Sequence, residues 1–205
     1  MGLYEKYLLP KLINAACGAK PITRQRAKVV PLARGRVLEI GVGAGHNLPH
    51  YDAANIEMLY ALEPSAEMRA LAADRVNDVA FKVEFIDLPG EAIPLEDQSV
   101  DTVVTTFTLC TIPDTLKALQ GMLRVLRPDG QLLFCEHGIA PDAAVAKWQN
   151  RINPIWKPIG GGCNINRAIP ALIEGAGFKI SDLQSMYLPS TPRIMGYNYW
   201  GSARR

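Results

Sequence analysis

No stretch of the 205 residues stays apolar long enough to cross a bilayer. The opening segment carries Leu3, Tyr4, Tyr7, Leu8, Leu12 and Ile13 at helical spacing. Glu5, Lys6, Pro10 and Lys11 interrupt it, so it is too broken for a secretory signal. It reads as an N-terminal helix packing across the domain, with a membrane-surface contact as the alternative. C-x-x-C pairs are also missing. The four cysteines, Cys17, Cys110, Cys135 and Cys163, lie far apart, which argues against a disulfide framework or a zinc motif and for reduced thiols in a cytoplasmic protein. Nor does one sign of charge dominate: 22 Lys and Arg against 20 Asp and Glu leave +2, which gives no case for a nucleic-acid-binding field. What the chain has is an ordinary globular composition, 48% apolar and 20% charged, at a length suited to one domain. The 17 glycines and 15 prolines are scattered and form no linker.

Short apolar runs alternate with amphipathic stretches, the pattern of a parallel sheet flanked by helices. Strands are predicted at Arg36–Ile40, Glu57–Leu62, Ala80–Ile86, Val100–Thr105 and Gln131–Cys135. Helices are predicted at Ser65–Val76 and Pro113–Leu126, the second with Leu116, Leu119, Met122, Leu123 and Leu126 on one face. Pro128-Asp129-Gly130 reads as a turn. Beyond this point Ala143–Ile152 looks helical, and Pro154, Pro158 and Gly160-Gly161-Gly162 break regular structure. A short helix, Arg167–Ala176, keeps Pro170 in its first turn. Phe178–Leu188 and Ile194–Ala203 then suit an antiparallel hairpin at the sheet edge.

The most informative local feature is Glu39-Ile40-Gly41-Val42-Gly43-Ala44-Gly45, which follows a strand and precedes an expected helix. Glycines there let a ligand approach the backbone. The dinucleotide fingerprint G-x-G-x-x-G is not met, because the third glycine comes one residue early and His46 stands in its place. Glu39 beside the turn would repel phosphates and suits a cationic amino group instead. Glu63 ends the second strand, where a carboxylate can accept bonds from a ribose diol. An adenosine moiety with a cationic amino-acid tail describes S-adenosyl-L-methionine.

The stretch from Val37 to Gly138 resembles the class I S-adenosylmethionine-dependent methyltransferases. The resemblance rests on the glycine turn, Leu62-Glu63-Pro64, Gly90-Glu91-Ala92-Ile93-Pro94-Leu95, Ser99-Val100-Asp101 and Leu126-Arg127-Pro128-Asp129-Gly130, in that order. It implies a single Rossmann-like, doubly wound α/β sheet of seven strands, mostly parallel with an antiparallel last strand. It implies one domain over residues 1–205: an N-terminal helical segment (1–34), a cofactor-binding core (35–138), and acceptor-side helices with a final hairpin (139–205). It also implies that Gly41, Gly43 and Gly45 approach the donor, that Glu63 holds its ribose, and that Pro64, Ser65 and Ile93 flank its adenine. Backbone groups at Glu91 and Ala92 would read the adenine edge, and Thr105 would join Glu39 in the cofactor-binding set. Where many relatives carry an adenine-binding aspartate this chain has Pro89, so Asp87 or the backbone would take that part.

In the second half, Leu109-Cys110-Thr111-Ile112, Glu136-His137, Asn153-Pro154-Ile155-Trp156 and Gly162-Cys163-Asn164-Ile165-Asn166-Arg167 resemble the alkyl-thiol methyltransferase-like branch, close to the ubiquinone/menaquinone C-methyltransferases. This implies a small, hydrophobic acceptor, thiol first. The alternatives are C- or O-methylation of a quinone-like ring or lipid, and a non-catalytic binding scaffold. The expected product of the donor is S-adenosyl-L-homocysteine, and the protein would be a monomer or homodimer. The animal members of that branch carry an apolar anchor before the domain that is not found here. His137 is the candidate base or acceptor-positioning group, with a structural hydrogen bond as its alternative. His46 is expected to line or cap the cofactor cleft, Glu136 to pair with Arg167 or Arg193, and Cys110 and Cys163 to be buried packing. Trp148 and Trp156 would roof the acceptor pocket or fill core. The Asn-Pro-Ile-Trp run is not the N-P-P-Y tetrad of nucleic-acid amino methyltransferases, which follows strand 4. Acidic ligands after strand 4 are lacking, so no metal is expected.

Overall fold

The computed structural model describes residues 8–205. Leu3, Tyr4 and Tyr7 of the expected opening helix lie outside the described residues. Within the described residues the first helix is α1 (Leu9–Cys17), followed by α2 (Lys20–Val29). The order is then β1 (Gly35–Ile40), β2 (Ile56–Leu62), α3 (Ala66–Asn77), β3 (Lys82–Ile86), β4 (Val100–Thr106), α4 (Thr115–Val125) and β5 (Leu126–His137). After these come α5 (Ala143–Ile159), α6 (Ile169–Gly175), β6 (Lys179–Tyr187) and β7 (Tyr197–Arg204). The strands form one sheet in the order β3-β2-β1-β4-β5-β7-β6. β1 to β5 pair in parallel, and β7 runs antiparallel to both β5 and β6. This is the expected Rossmann-like sheet of seven strands.

Apolar runs are continuous because both faces of the sheet are covered. Leu38, Ile40, Val103, Leu132 and Phe134 point to one side, against Leu119 and Met122 of α4 and Ile169 and Ile173 of α6. Their neighbours Val37, Val104, Leu133 and Cys135 point to the other, against Val29 of α2. Strand order reverses between β1 and β4, so the carboxyl ends of β1, β2, β4 and β5 surround a crevice.

Three local expectations fail. The glycine turn is followed by turns and a short 3-10 segment, Leu48–His50, rather than an α-helix. Asn47 is drawn inside there, fully buried, to bond Glu39, Arg26 and Thr106. The segment around Pro128-Asp129-Gly130 lies within β5. Val100 pairs with Leu126 and Thr102 with Gln131, so the extra residues are absorbed as a bulge. α5 runs straight through Pro154 and Pro158. The two are four residues apart and both exposed, so the carbonyls they leave unbonded, those of Asn150 and Pro154, face water.

Candidate functional site

Gly41 and Gly43 both have left-handed backbone, φ 69° and 56°. At Gly41 a Cβ would lie 2.4 Å from Thr108 Cγ2, so glycine is what lets the loops after β1 and β4 touch. At Gly43 a Cβ would meet Met68 Cε at 3.4 Å and Gly41 O at 3.9 Å, contacts of ordinary van der Waals length, on the wall of the cavity that opens at this turn. Glu63, at the end of β2, is tied to this turn. Its Oε2 accepts from Gly43 N at 3.0 Å and its Oε1 from Ser65 N at 2.9 Å. Ser65 caps α3 through Met68 N, at 3.1 Å. Burial raises the Glu63 pKa against the pull of those two N–H groups. Each carboxylate oxygen keeps a lone pair beyond the backbone bond, the disposition that accepts two neighbouring hydroxyls.

A cavity of about 670 Å³ opens at this turn, lined by Gly41, Gly43, Glu63, Pro64 and Ser65 and by Thr106, Phe107, Thr108 and Thr111 after β4. Its far wall is N-terminal: Leu9, Pro10, Ile13 and Cys17 of α1 and Arg26 of α2. A second pocket of about 250 Å³ shares Gly41, Glu63, Pro64, Thr108 and Thr111 with it and extends along Pro89, Gly90 and Glu91 to Ile112. Glu63 therefore stands where the two spaces meet.

Several expected cofactor residues sit behind these walls. Gly45 packs: a Cβ there would lie 2.9 Å from Leu48 and 3.3 Å from Ala72 of α3. Thr105 is fully buried and gives its hydroxyl to Glu136, at 2.8 Å. Ile93 is buried against α4, close to Gly121, and lines neither space. Ala92 is exposed, with its N–H bonded to Pro89 O, and Asp87 is held by Arg69 at 2.7 Å. Glu39 is 1% exposed and outside the cavity lining. Asn47 Nδ2 donates to its Oε1 at 2.9 Å and Tyr51 Oη to its Oε2 at 2.7 Å. Arg26 Nη1 donates to Asn47 Oδ1 at 2.8 Å and to Thr106 Oγ1. Asn47 thus bridges a buried cation and a buried acid, and it fastens α2 to the glycine turn. Burial pushes Glu39 up to about 7. His46 does line the cavity, with Nε2 3.0 Å from Asn14 O, and burial together with Arg26 and Arg75 pulls it down to about 4. It is a neutral imidazole fixed to α1.

The acceptor-side loops are ordered by polar groups whose partners lie far off in sequence. Glu136, fully buried, accepts from Thr108 N at 2.9 Å and from Thr105; it pairs with neither arginine. Arg167 goes to Leu109 O and Thr115 Oγ1, and Arg193 to Asp142 at 3.2 Å. Gln149 of α5, 1% exposed, accepts from Ala140 N at 2.8 Å. It donates to Gly138 O, Ile165 O and Ile194 O. Asn153 holds Asn164 and the Ile165 N–H, and Asn164 in turn bonds Cys110 O. Trp148 is 54% exposed and roofs nothing.

These contacts bring together residues that sequence spacing kept apart. Cys163 Sγ lies 3.3 Å from His137 Nε2, and Cys110 completes a group of three. Hydrogen bonding from Cys110, and then from His137, overcomes burial and pulls the Cys163 thiol down to about 4. Burial opposes charge on His137, but Cys163 and Glu136 raise it. Cys110 is pushed well up by its bond to Cys163 and by burial. The reading of Cys110 and Cys163 as packing is therefore corrected: they form a polar sulfur–imidazole cluster. No local pattern marks Arg26, Asn47, Tyr51 or Gln149, which sequence reasoning missed.

A "Methyltransferase domain" family model matches residues 38–134. Human thiol S-methyltransferase TMT1B is 35% identical over 175 residues, covering 80% of this chain and 71% of that protein. Demethylmenaquinone methyltransferase of Clavibacter sepedonicus is 31% identical over 117 residues, covering 55% and 45%. Among solved structures, an S-adenosylmethionine-dependent methyltransferase from Mesorhizobium loti superposes with a TM-score of 0.67 at 16% identity, covering 92% of this chain and 99% of that one.

Proposed function

Since the chain belongs to the class I S-adenosylmethionine-dependent methyltransferases, enzymes that use S-adenosyl-L-methionine and release S-adenosyl-L-homocysteine, we propose that its acceptor is a small hydrophobic thiol. In this reading the ribose diol lies on Glu63 and the adenine in the pocket along Pro89, Gly90 and Glu91. The amino-acid tail follows the turn at Gly41 and Gly43. Glu39 and Arg26 act at one remove, by fixing that turn through Asn47. The acceptor takes the rest of the larger cavity, against Leu9, Ile13 and Phe107, where Gly161 is the lining residue contributed by the 139–205 segment.

One observation carries the preference for sulfur. Among the described residues lining the larger cavity each candidate base is weak or engaged: His46 is held at about 4, Glu63 is committed to backbone N–H groups, Glu67 accepts from Ser65 Oγ at 3.0 Å, and burial pushes the Cys17 thiol up. His137 lies outside the lining with its Nε2 on Cys163, so no base role is assigned to it. An acceptor must then bring its own nucleophile. A thiol near pKa 8.5 supplies about 30 times more anion at neutral pH than a phenol near 10. The bound donor supplies a sulfonium methyl group, displaced in line as the acceptor S–CH3 bond forms and the donor C–S bond breaks. The chain's part is alignment within about 3 Å and exclusion of water. Isotopically labelled donor offered with matched alkyl thiols and phenols tests this. Faster labelling of thiols is expected. Preferential labelling of phenols or quinols refutes the thiol reading, and donor binding without transfer to any acceptor favours a scaffold.

A further inference from the structure

Cys110, His137 and Cys163 come from three separate segments: the loop after β4, the end of β5, and the loop after α5. Their two sulfurs and one imidazole nitrogen lie within 4.8 Å of one another, and the Cys163–His137 approach is 3.3 Å. Tetrahedral zinc, with Zn–S about 2.3 Å and Zn–N about 2.0 Å, sets S–N and S–S edges of about 3.5 and 3.8 Å. The 3.3 Å Cys163–His137 approach is close to the first of these edges, and the 4.8 Å limit on the remaining pairs leaves room for both. We propose that these three residues form a binding site for a thiophilic divalent cation of the zinc type, with the fourth coordination position left to water or a small thiol.

Three further features fit this assignment. The ligand-bearing loops are fixed independently of any ion. Glu136 holds Thr108 N, and Asn164 gives both its backbone N–H and its Nδ2 to Cys110 O at 2.9 Å. Asn153 pins Asn164 and Ile165 behind them. Trp156 Nε1 is buried without a conventional hydrogen-bond partner and lies beside Cys163, where an N–H can support a coordinated sulfur. The donor set itself, two sulfurs and an imidazole, selects zinc-like cations over calcium or magnesium, which take oxygen. No fourth His, Cys, Asp or Glu joins the group among the described residues, which is the ligand count of a site with an open position. Thr111 and Gly161, close in sequence to Cys110 and Cys163, line the large cavity, so the cluster lies near it without forming part of its wall.

The site stands whether or not the methyl acceptor is a thiol, and its test reads metal directly. Reduced, chelator-treated full chain is titrated with Co(II). Expected are saturation at one equivalent, intense thiolate-to-cobalt absorption in the near ultraviolet with tetrahedral visible bands, and their erasure by zinc. The bands should be lost in Cys163→Ser and Cys110→Ser but kept in Cys135→Ser, whose sulfur is buried elsewhere against Asn198. Binding of S-adenosyl-L-homocysteine checks that each variant is folded. A second measurement uses the unaltered protein: zinc should slow iodoacetamide labelling of Cys163 at least tenfold, read by peptide mass spectrometry. Absence of the cobalt bands in the unaltered chain, their survival in Cys163→Ser, or labelling unaffected by zinc overturns the assignment.

Discussion

Glu39 gives a pH dependence opposite to that of an ordinary paired carboxylate. It is 1% exposed, and burial holds its pKa at about 7 against an ordinary 4.5, despite the opposing bonds from Tyr51 and Asn47 and the charge of Arg26. An acid whose folded pKa is raised favours the folded state in its protonated form. That stability is fully present below about 4.5 and is lost as pH rises through about 7. At about 1.4 kcal/mol per pH unit, the interval corresponds to about 3 kcal/mol. In Glu39→Gln the side chain is neutral throughout, so this slope should vanish. The variant should lose about 1 kcal/mol at pH 5, because one amide oxygen cannot serve both Tyr51 Oη and Asn47 Nδ2. Urea unfolding of both proteins at pH 5, 6, 7 and 8 checks this, since other titrating groups cancel in the difference. Parallel stability profiles for the two proteins would refute the reasoning.

Other expectations concern binding and packing. Glu63→Ala removes both proposed diol acceptors and should weaken S-adenosyl-L-homocysteine by about 2–4 kcal/mol, some 30- to 1,000-fold in calorimetry; a change under threefold in a folded variant contradicts the assignment. Gly43→Val forces a branched residue into φ 56° and pushes methyls into the cavity, so nucleoside binding should disappear while circular dichroism stays native. Gln149→Leu leaves Ala140 N and three carbonyls without their side-chain partner and should lower stability by about 3 kcal/mol. A loss below 1 kcal/mol in denaturant titration would show that water replaces it.

Strands were legible because each alternates between two covered faces and stops at a polar or glycine punctuation. β1, β2 and β4 match the apolar runs to within a residue or so at each end. Glu63 and the glycine turn were legible for the same local reason. What sequence could not give were decisions made by distant partners. α5 survives two prolines because both face water, and the turn after Gly45 does not coil into a helix because Asn47 is recruited to Arg26 and Glu39. Cys110, His137 and Cys163 are separated by 27 and 26 residues, so no spacing rule flags them; the sheet order and the α5 loop bring them together. The expectation of no metal rested on the lack of acidic ligands after strand 4 and of any C-x-x-C pair, neither of which reports on side chains brought together from distant segments.

The placement of β7 sets a condition on biosynthesis. Because β7 lies between β5 and β6, pairing with both, the edge of β5 stays bare until the residues up to Arg204 have left the ribosome. At that stage Leu132 to His137 present an unpaired, mostly apolar strand. During synthesis this edge is the part of the nascent chain most in need of a holding chaperone. Removing Tyr197–Arg205 would strand β6 as well, reducing the seven-stranded sheet to five strands with a sticky border.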